Sequence, residues 1–173
     1  MKLVIEPDDN CESPRDWDNL GIMVCSHRRY DLGDDNPKID YDNFHSWSDI
    51  EYYLATVLDA GVILPLYLYD HSGITMATTP FSCPWDSGQV GFIYASRERI
   101  RAEFSVKRIS KKLREKVEGI LRSEVKDYDQ YLTGDVYGYI IEDDNGDELE
   151  SCWGFCGEDS AREEGEAVMR GMK

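Results

Sequence analysis

The chain contains 173 residues, of which 41% are hydrophobic and 12% are aromatic. A chain of this length can bury one sizeable core but is short for two, so we expect a single domain over residues 1–173. Its 19 basic and 35 acidic residues give a formal net charge of −16. That charge repels nucleic acid at long range and attracts basic proteins, so we expect no direct contact with nucleic acid.

Nothing in the sequence indicates a membrane protein or a secreted protein. No window approaches the roughly 18 apolar residues of a membrane-spanning helix. The N-terminal sequence MKLVIEPDDN turns acidic where a signal peptide needs a long apolar region. The five cysteines are an odd number, which fits a reducing compartment better than a set of disulfides. We therefore expect a cytoplasmic protein that does not bind membranes.

The charge is distributed unevenly along the chain. Residues 1–60 carry 14 acids and 5 bases, residues 61–96 carry 2 acids and no base, residues 97–126 carry 5 acids and 11 bases, and residues 127–173 carry 14 acids and 3 bases. We expect the basic segment to pair with acidic neighbours in its own chain or with a second subunit. A homo-oligomer is therefore one of the alternatives. Acidity that only keeps the protein soluble is the alternative explanation.

The first part of the chain alternates short strands with polar segments. Residues 2–5 and 22–25 have the composition of strands, whereas residues 26–44 are polar and lack periodicity. A loop of that length inside a compact domain is usually either functional or poorly ordered, so it is a candidate contact surface. A capping box at Ser48 and Glu51 then predicts a helix that stops at Gly61.

Residues 62–96 form the predicted sheet core, because they hold the longest apolar runs and no lysine or arginine. We predict strands at residues 62–69, 74–77 and 89–96, with turns at residues 70–73 and 80–88. Val90, Phe92 and Tyr94 share one face of the last strand at period two. Pro65 cannot donate to a ladder, which predicts a bulge or an edge position there.

The rest of the sequence predicts helices and a hairpin. The predicted elements are a short helix at residues 97–104, a long helix at 111–132, strands at 135–142 and 147–153, and a last helix after Gly157. Asn145-Gly146 is the typical turn of a hairpin between the two strands. Hairpins with interspersed helices predict an α+β fold, in which two to four helices pack on one face of a mainly antiparallel sheet.

One group of residues could carry metal chemistry. Asp70 and His71, together with Asp16 or Asp18, could hold a hard cation that activates water. A metal-dependent hydrolase centred on Asp70 and His71 is therefore the alternative function. A lone histidine in a turn is more often a hydrogen-bonded turn residue, and nothing in the sequence fixes the spacing of these groups. Whether a metal is bound stays open.

No other motif indicates catalysis. Cys152 and Cys156 have CxxxC spacing but lack the second pair of a typical zinc site, so we expect buried free thiols. Two cysteine and histidine pairs could supply a nucleophile and its base, Cys25 with His27 and Cys83 with His71, without any local signature. The sequence contains no Walker loop, no GxGxxG and no GxSxG motif. We therefore predict no catalytic residue and no cofactor.

Two acidic loops with neighbouring aromatic residues form the predicted binding surface. Aromatic residues beside carboxylates suit a surface that binds a basic protein, although the aromatic residues could equally fill the core under long loops. The predicted partner-binding residues are Asp8, Asp9, Asp16, Trp17, Asp18, Asp31, Asp34, Asp35, Asp40 and Asp42.

Four segments carry a resemblance to a known family. They are SPRDWDNLGIMVCSHRRYDLGD (residues 13–34), LYLYDHSGITMATTPFSCPWDSGQVGFIYAS (residues 66–96), YDQYLTGDVYGYIIED (residues 128–143) and ESCWGF (residues 150–155). In these segments, which are distributed between residues 13 and 155, the sequence resembles a family of small proteins encoded by phages and integrated mobile elements.

The resemblance implies a context rather than an activity, and it transfers no catalytic residue. It implies a candidate inhibitor of host defence that acts in the cytoplasm of a bacterial host. The targets would be CRISPR nucleases or restriction enzymes, since both expose basic nucleic-acid channels. Our leading hypothesis is a non-enzymatic acidic protein that binds a basic host nuclease, with a Cas nuclease as the first candidate. It would occupy the nucleic-acid-binding surface of that enzyme or lock its conformation.

Overall fold

The structure, a computed structural model, describes residues 1–172 as two compact units. Unit 1 comprises residues 1–16 and 127–173, and unit 2 comprises residues 17–126. Over residues 1–172 there are four helices and seven strands, and the strands form two antiparallel sheets. The predicted α+β class with mainly antiparallel strands is therefore confirmed. The expectation of a single domain stays a prediction.

The elements follow the predicted order along the chain. They are β1 (Lys2–Pro7), β2 (Ile22–Cys25), α1 (Trp47–Thr56), β3 (Ala60–Asp70), β4 (Ile74–Ala77), β5 (Ser87–Ser96), α2 (Arg97–Glu103), α3 (Lys111–Thr133), β6 (Val136–Glu142), β7 (Glu148–Cys156) and α4 (Glu158–Gly171). Short 3-10 turns occupy Pro14–Asp16 and Tyr41–Asn43. No helix within residues 1–172 is both long and apolar enough to cross a membrane.

Unit 2 is built on a four-stranded sheet in the order β2-β5-β3-β4. Phe92 of β5 packs in one cluster with Leu54 of α1, and both are buried. On the opposite face, Ile93 is fully buried, and a Cβ added at Gly21 would lie 2.8 Å from Ile93 Cδ1 and 2.6 Å from Leu121 Cδ2 of α3. Since side chains alternate between the faces of a strand, β5 is buried on both sides, whereas the sequence predicted helices on one face only.

Pro65 lies within β3, which pairs with β5 over its whole length. The partner on the other side, β4, pairs only with residues from Tyr67 to Asp70, so β3 has a free edge at Pro65. The register against β5 also shifts between Leu66 and Tyr67. A residue without an N–H group is tolerated at such a position. The prediction of an edge or a bulge is therefore confirmed.

The capping box predicted at Ser48 and Glu51 is wrong, because α1 begins at Trp47. The N-cap is Ser46, whose hydroxyl oxygen accepts a hydrogen bond from the backbone N of Asp49 at 3.2 Å. The two serines have acidic residues at the same spacing, so the box pattern alone does not choose between them. The predicted stop at the glycine after this helix is also displaced, since that glycine lies inside β3.

Unit 1 contains the sheet β1-β6-β7 with α4 on one face. The helix lies close to the sheet at Gly165, where an added Cβ would lie 2.6 Å from Leu3 Cδ1 and 3.0 Å from Tyr139 Cγ. Only a residue without a side chain fits this contact. On the same face, the rings of Tyr139 and Phe155 lie 5.7 Å apart. Trp153 covers the backbone of Gly138 in the neighbouring strand.

Two glycines of β5 give a matched test of how closely β2 and β5 approach. A Cβ at Gly91 would overlap the backbone of Val24 and Cys25, whereas a Cβ at Gly88 would meet no atom within 4 Å. We expect Gly91→Ala to lower the free energy of unfolding by about 2 kcal/mol or more, because the backbone must move. Gly88→Ala should change it by less than about 1 kcal/mol. Urea denaturation measures both, and equal effects would contradict the described pairing of β2 with β5.

Candidate functional site

Asp70, at the end of β3, is the centre of a polar cluster in unit 2. Its side chain is only 17% exposed, and Arg29 donates a charge-assisted hydrogen bond to it. The hydroxyl of Tyr30 lies 3.3 Å from the second carboxylate oxygen, and His27 Nε2 lies 3.9 Å from the first. The carboxylate therefore holds the beginning of the long loop, residues 26–46, against the end of the sheet. Hydrogen bonds to a charged group are stronger than neutral ones.

Asp86, at the turn before β5, forms the second half of this cluster. The backbone carbonyl of Asp86 accepts a hydrogen bond from the backbone N of Asp70 at 2.8 Å. One carboxylate oxygen of Asp86 lies 3.4 Å from His71 Nδ1 and accepts from Cys83 Sγ at 3.6 Å. Asp70 and His71 are thus adjacent in the chain but have different side-chain partners.

This geometry does not favour the metal-dependent hydrolase. Within residues 1–172, no group of three or more His, Cys, Asp or Glu side chains is arranged to hold a metal ion. The positive charge of Arg29 already faces Asp70, and Asp18, one of the predicted additional ligands, pairs with Arg99 at 3.1 Å. The backbone N of His71 donates to the carbonyl of Gly73 at 3.0 Å, so His71 lies in a hydrogen-bonded turn, as in the alternative interpretation of its position.

The structure describes the surroundings of Cys83 and His71, one of the two predicted pairs of a cysteine with a histidine. Cys83 Sγ and His71 Nδ1 both contact the Asp86 carboxylate, at 3.6 and 3.4 Å. All five cysteines are free thiols. Cys156 is partly buried, but Cys152 is exposed on β7, so the prediction of a buried thiol is wrong for Cys152. Side chains alternate along a strand, and the CxxxC spacing alone did not show the irregular pairing of β7.

Trp85 is the most exposed large hydrophobic residue in residues 1–172, at 91% of its full accessible surface. It lies in the turn before β5. The Asp86 carboxylate accepts from Cys83 Sγ in this turn, and the hydroxyl of Ser87 donates to the carbonyl of Cys83. A cavity of about 270 Å³ beside it is lined by Trp85, Asp86, Asp70 and Arg29 among others. An exposed indole on a turn that is fixed by hydrogen bonds is typical of the residues that dominate binding energy in protein interfaces.

The acidic loop at residues 31–42 divides into structural and available carboxylates. Asp34 accepts a hydrogen bond from the backbone N of Met23 at 2.8 Å and so fixes the loop to β2. Asp40 caps the turn at residues 41–43 by accepting from the backbone N of Asp42. Among the carboxylates of this loop, those of Asp31, Asp35 and Asp42 are exposed and have no described hydrogen-bond or ion-pair partner.

The predicted acidic residues before position 19 are mostly exposed. In unit 1, Asp8 accepts from the backbone N of Asn10 at 3.1 Å, whereas Asp9 and Asp16 are exposed. In unit 2, Trp17 is about half exposed, and Asp18 forms the ion pair with Arg99 described above. Arg99 belongs to the basic segment that was predicted to pair with acidic neighbours, as does Arg97, which lies 2.6 Å from Asp59.

The excess negative charge lies almost entirely in unit 1. Unit 1 carries 19 acids and 5 bases, and unit 2 carries 16 acids and 14 bases, so their net charges are −14 and −2. The unit 1 acids of the β6–β7 hairpin and α4 that are exposed include Asp144, Asp147, Glu148, Glu150, Glu158, Asp159, Glu163, Glu164 and Glu166. The predicted partner-binding residues do not include them, because loops were favoured as the contact surface. The excess of acids in residues 127–173 was nevertheless a signal in the sequence.

Few cations compensate the carboxylates of unit 1. The amino terminus lies 2.7 Å from Asp144, and Lys2 lies 3.5 Å from Glu142. On α4, Arg162 pairs with Glu158 and Arg170 with Glu166. Exposed pairs of this kind contribute little to stability because water and salt screen them. The ion pairs described within unit 1 therefore compensate only a minority of its carboxylates.

Comparison with known proteins added no relative: no family model, no curated protein and no solved structure matches the chain. The resemblance to proteins encoded by phages and mobile elements therefore stays a prediction.

Asp70→Asn, compared with Asp144→Asn, tests the role of the Asp70 cluster. We expect Asp70→Asn to lower the free energy of unfolding by about 1–3 kcal/mol, because Arg29 loses the charge of its partly buried partner. Asp144 is 94% exposed, so Asp144→Asn should have a much smaller effect. Urea denaturation gives both values. A smaller loss for Asp70→Asn than for Asp144→Asn would contradict a structural role for the cluster.

The turn of the β6–β7 hairpin should depend on pH through Asp143. Backbone N–H groups of Asp147 and Asn145 donate to its carboxylate at 3.0 and 2.7 Å and lower its pKa from the ordinary 3.8. The stabilisation of the turn is present above the ordinary pKa and is lost as pH falls through the lowered one. An NMR titration should give a carboxyl midpoint below 3.8, with the amide shifts of Asn145 following it. In Asp143→Asn this amide titration should disappear, and a midpoint above 3.8 in the parent protein would contradict these hydrogen bonds.

Proposed function

We propose that the protein is an acidic binding protein that attaches to a positively charged surface of a partner protein. The observation that carries this proposal is the net charge of −14 on the 63 residues of unit 1. A field of one sign accelerates association with a surface of the opposite sign and suppresses wrong partners. The exposed positions of the unit 1 carboxylates and their sparse ion pairs support this use of the charge.

Exposed aromatic residues supply the second requirement of a stable interface. Charge complementarity mainly sets the association rate and the specificity, whereas buried aromatic contacts supply much of the affinity. Unit 1 exposes Trp153 on β7, and unit 2 exposes Trp17 and Trp85. Each unit thus has carboxylates and at least one indole that a partner could cover.

The proposed partner is a host defence nuclease, a CRISPR nuclease or a restriction enzyme. Such enzymes bind nucleic acid through basic channels, which are the surfaces that a protein with this charge would occupy. The family resemblance described above is the reason for choosing a defence nuclease among basic proteins. The protein would either cover the nucleic-acid-binding surface or hold the nuclease in an inactive conformation, and both alternatives stay open.

Cleavage assays with purified nucleases test the proposal through two triple variants of equal charge. One variant removes three exposed acids of unit 1 (Glu150→Gln, Glu163→Gln, Glu164→Gln), and the other removes three exposed acids of unit 2 (Glu51→Gln, Glu98→Gln, Glu103→Gln). We expect the parent protein to inhibit at least one nuclease of the panel. The unit 1 variant should need at least about tenfold more protein for the same inhibition, and the unit 2 variant should resemble the parent.

Salt provides the independent measurement. At about 1 M salt the Debye length is roughly 3 Å, so capture of the nuclease by the immobilised protein should decrease strongly relative to about 0.1 M salt. Capture that is equal at both concentrations would contradict a charge-driven interface. No inhibition across the panel, with no nuclease identified by mass spectrometry after capture from a bacterial lysate, would contradict the proposed partner.

A further inference from the structure

β7 is the longest of the strands that lie at the edge of a sheet. An edge strand has unpaired backbone N–H and C=O groups, onto which another strand can add. β7 has nine residues, and within residues 1–172 no strand pairs with it on the side away from β6. The exposed residues of β7 are Glu148, Leu149, Glu150, Cys152 and Trp153. Three of them are consecutive, so the strand is accessible from both faces of the sheet.

The other three edge strands are shorter or protected. β1 has six residues and ends at Pro7, and β2 and β4 have four residues each. On the outer side of β2, the backbone N of Asp34 donates to the carbonyl of Met23 at 2.9 Å, and the Asp34 carboxylate accepts from the backbone N of Met23 at 2.8 Å. Short edges, prolines and covering loops are common ways of preventing a further strand from adding. β7 is neither short nor ended by a proline, so it is the edge most open to a further strand.

The backbone groups of Ser151 point away from β6. The backbone N of Asp8 donates to the carbonyl of Val136 at 2.8 Å, so the backbone groups of Val136 point towards β1. Because this direction alternates along a strand, the backbone groups of Ile140 also point towards β1. The partner of Ile140 in β7 is Ser151, so these two residues exchange no backbone hydrogen bonds. The N–H and C=O of Ser151 are therefore directed at the open edge.

Acidic side chains flank Ser151 on both faces of the sheet. The hydroxyl of Ser151 donates to a carboxylate oxygen of Glu148 at 2.7 Å, so these two side chains lie on the same face. Glu150 lies on the opposite face, because the side chains of neighbouring residues alternate. A strand added to this edge would therefore meet a carboxylate on each face.

Trp153 adds an aromatic surface on the face of Ser151. Its indole lies over Gly138 of β6, which is two residues from Ile140, the partner of Ser151. Residues two apart share a face of a strand, so the indole and the Ser151 side chain lie on the same face. The face of an indole attracts the cationic groups of lysine and arginine. An added strand would thus place basic side chains beside a carboxylate or an indole.

We infer that an extended basic segment of the partner protein adds to the open edge of β7 as a fourth strand, an inference that rests on the proposed function. In this mode of recognition the backbone hydrogen bonds supply the affinity and alternate side chains supply the specificity. The charge selects the occupant. A second copy of the chain would bring another net charge of −14 to the same edge, and like charges across a strand pair are destabilising. Lysine and arginine side chains instead pair with Glu148 and Glu150.

Binding of a synthetic strand tests the inference on the full-length protein. The probe is the acetylated and amidated peptide KVRVKVR, which alternates basic and β-branched residues. Its control is the same peptide with every backbone nitrogen methylated, which keeps the charge but cannot donate backbone hydrogen bonds. We expect the unmodified peptide to bind at least about tenfold more tightly than the control and to slow the hydrogen exchange of the Ser151 amide. Equal affinities would show attraction by charge alone and would overturn the inference, as would slower exchange confined to residues outside β7.

Two substitutions of Ser151 separate the edge from the charge. Ser151→Pro removes the outward N–H without changing the net charge, and proline is tolerated in an edge strand where its nitrogen faces solvent. Ser151→Ala is the matched control, because it keeps the N–H and removes only the hydroxyl. We expect Ser151→Pro to bind the peptide at least about tenfold more weakly than the parent protein, and Ser151→Ala to bind it within about twofold of the parent.

Urea denaturation checks that Ser151→Pro is folded. A folded Ser151→Pro that binds the peptide as tightly as the parent would overturn the inference. If Ser151→Pro does not fold, the comparison of the two peptides on the parent protein decides.

Nuclease capture and oligomeric state distinguish the inference from the proposed function. If Ser151→Pro captures and inhibits a nuclease as the parent does, the inference is wrong and the proposed function stands. If the peptide binds at the edge but no nuclease is captured, the edge site stands and the proposed nuclease is wrong. A dimer of the parent protein in sedimentation that is lost in Ser151→Pro would identify a second copy as the occupant and would overturn the inference.

Discussion

The structure of unit 2 depends on the pairing of β5 with a neighbour on each edge and its burial on both faces. β5 pairs with β2 and β3, and its residues from Val90 to Ala95 are buried. A strand in this position must present an apolar side chain or a glycine at every position. The charged residues of the unit are therefore confined to loops, helices and strand ends, which is where the Asp70 cluster and the acidic loop lie.

Much of the fold was predictable because the sequence contains strong local signals. The apolar runs of residues 62–96, the Asn145-Gly146 turn and the long periodic helix identify strands, hairpin and α3 at nearly the observed positions. The predictions that were wrong came from patterns that fit more than one structure. Ser46 and Ser48 have equivalent capping patterns, and nothing local shows that the strands divide between two sheets. Sheet membership depends on contacts distant in the chain, which periodicity does not record.

The candidate site was less predictable, since its residues come together only in the folded chain. Asp70 and His71 were conspicuous in the sequence, but their partners Arg29 and Asp86 lie in other segments. The acidic loop shows the same limit. Asp34 looks like its neighbours in the sequence, and only the structure reveals that it binds the backbone of β2. The contrast in charge between the units likewise appears only when the first 16 residues are grouped with the C-terminal part.

The exposure of Trp85 has an optical consequence. An indole surrounded by water emits at longer wavelength and is reached easily by soluble quenchers, whereas a covered indole emits at shorter wavelength and is shielded from them. Trp85 is far more exposed than Trp17 and Trp153, the other tryptophans with large exposed surfaces. A partner that covered Trp85 would therefore change the intrinsic fluorescence emission of the protein without any added label. Trp85 is thus a built-in reporter of contact at the turn before β5.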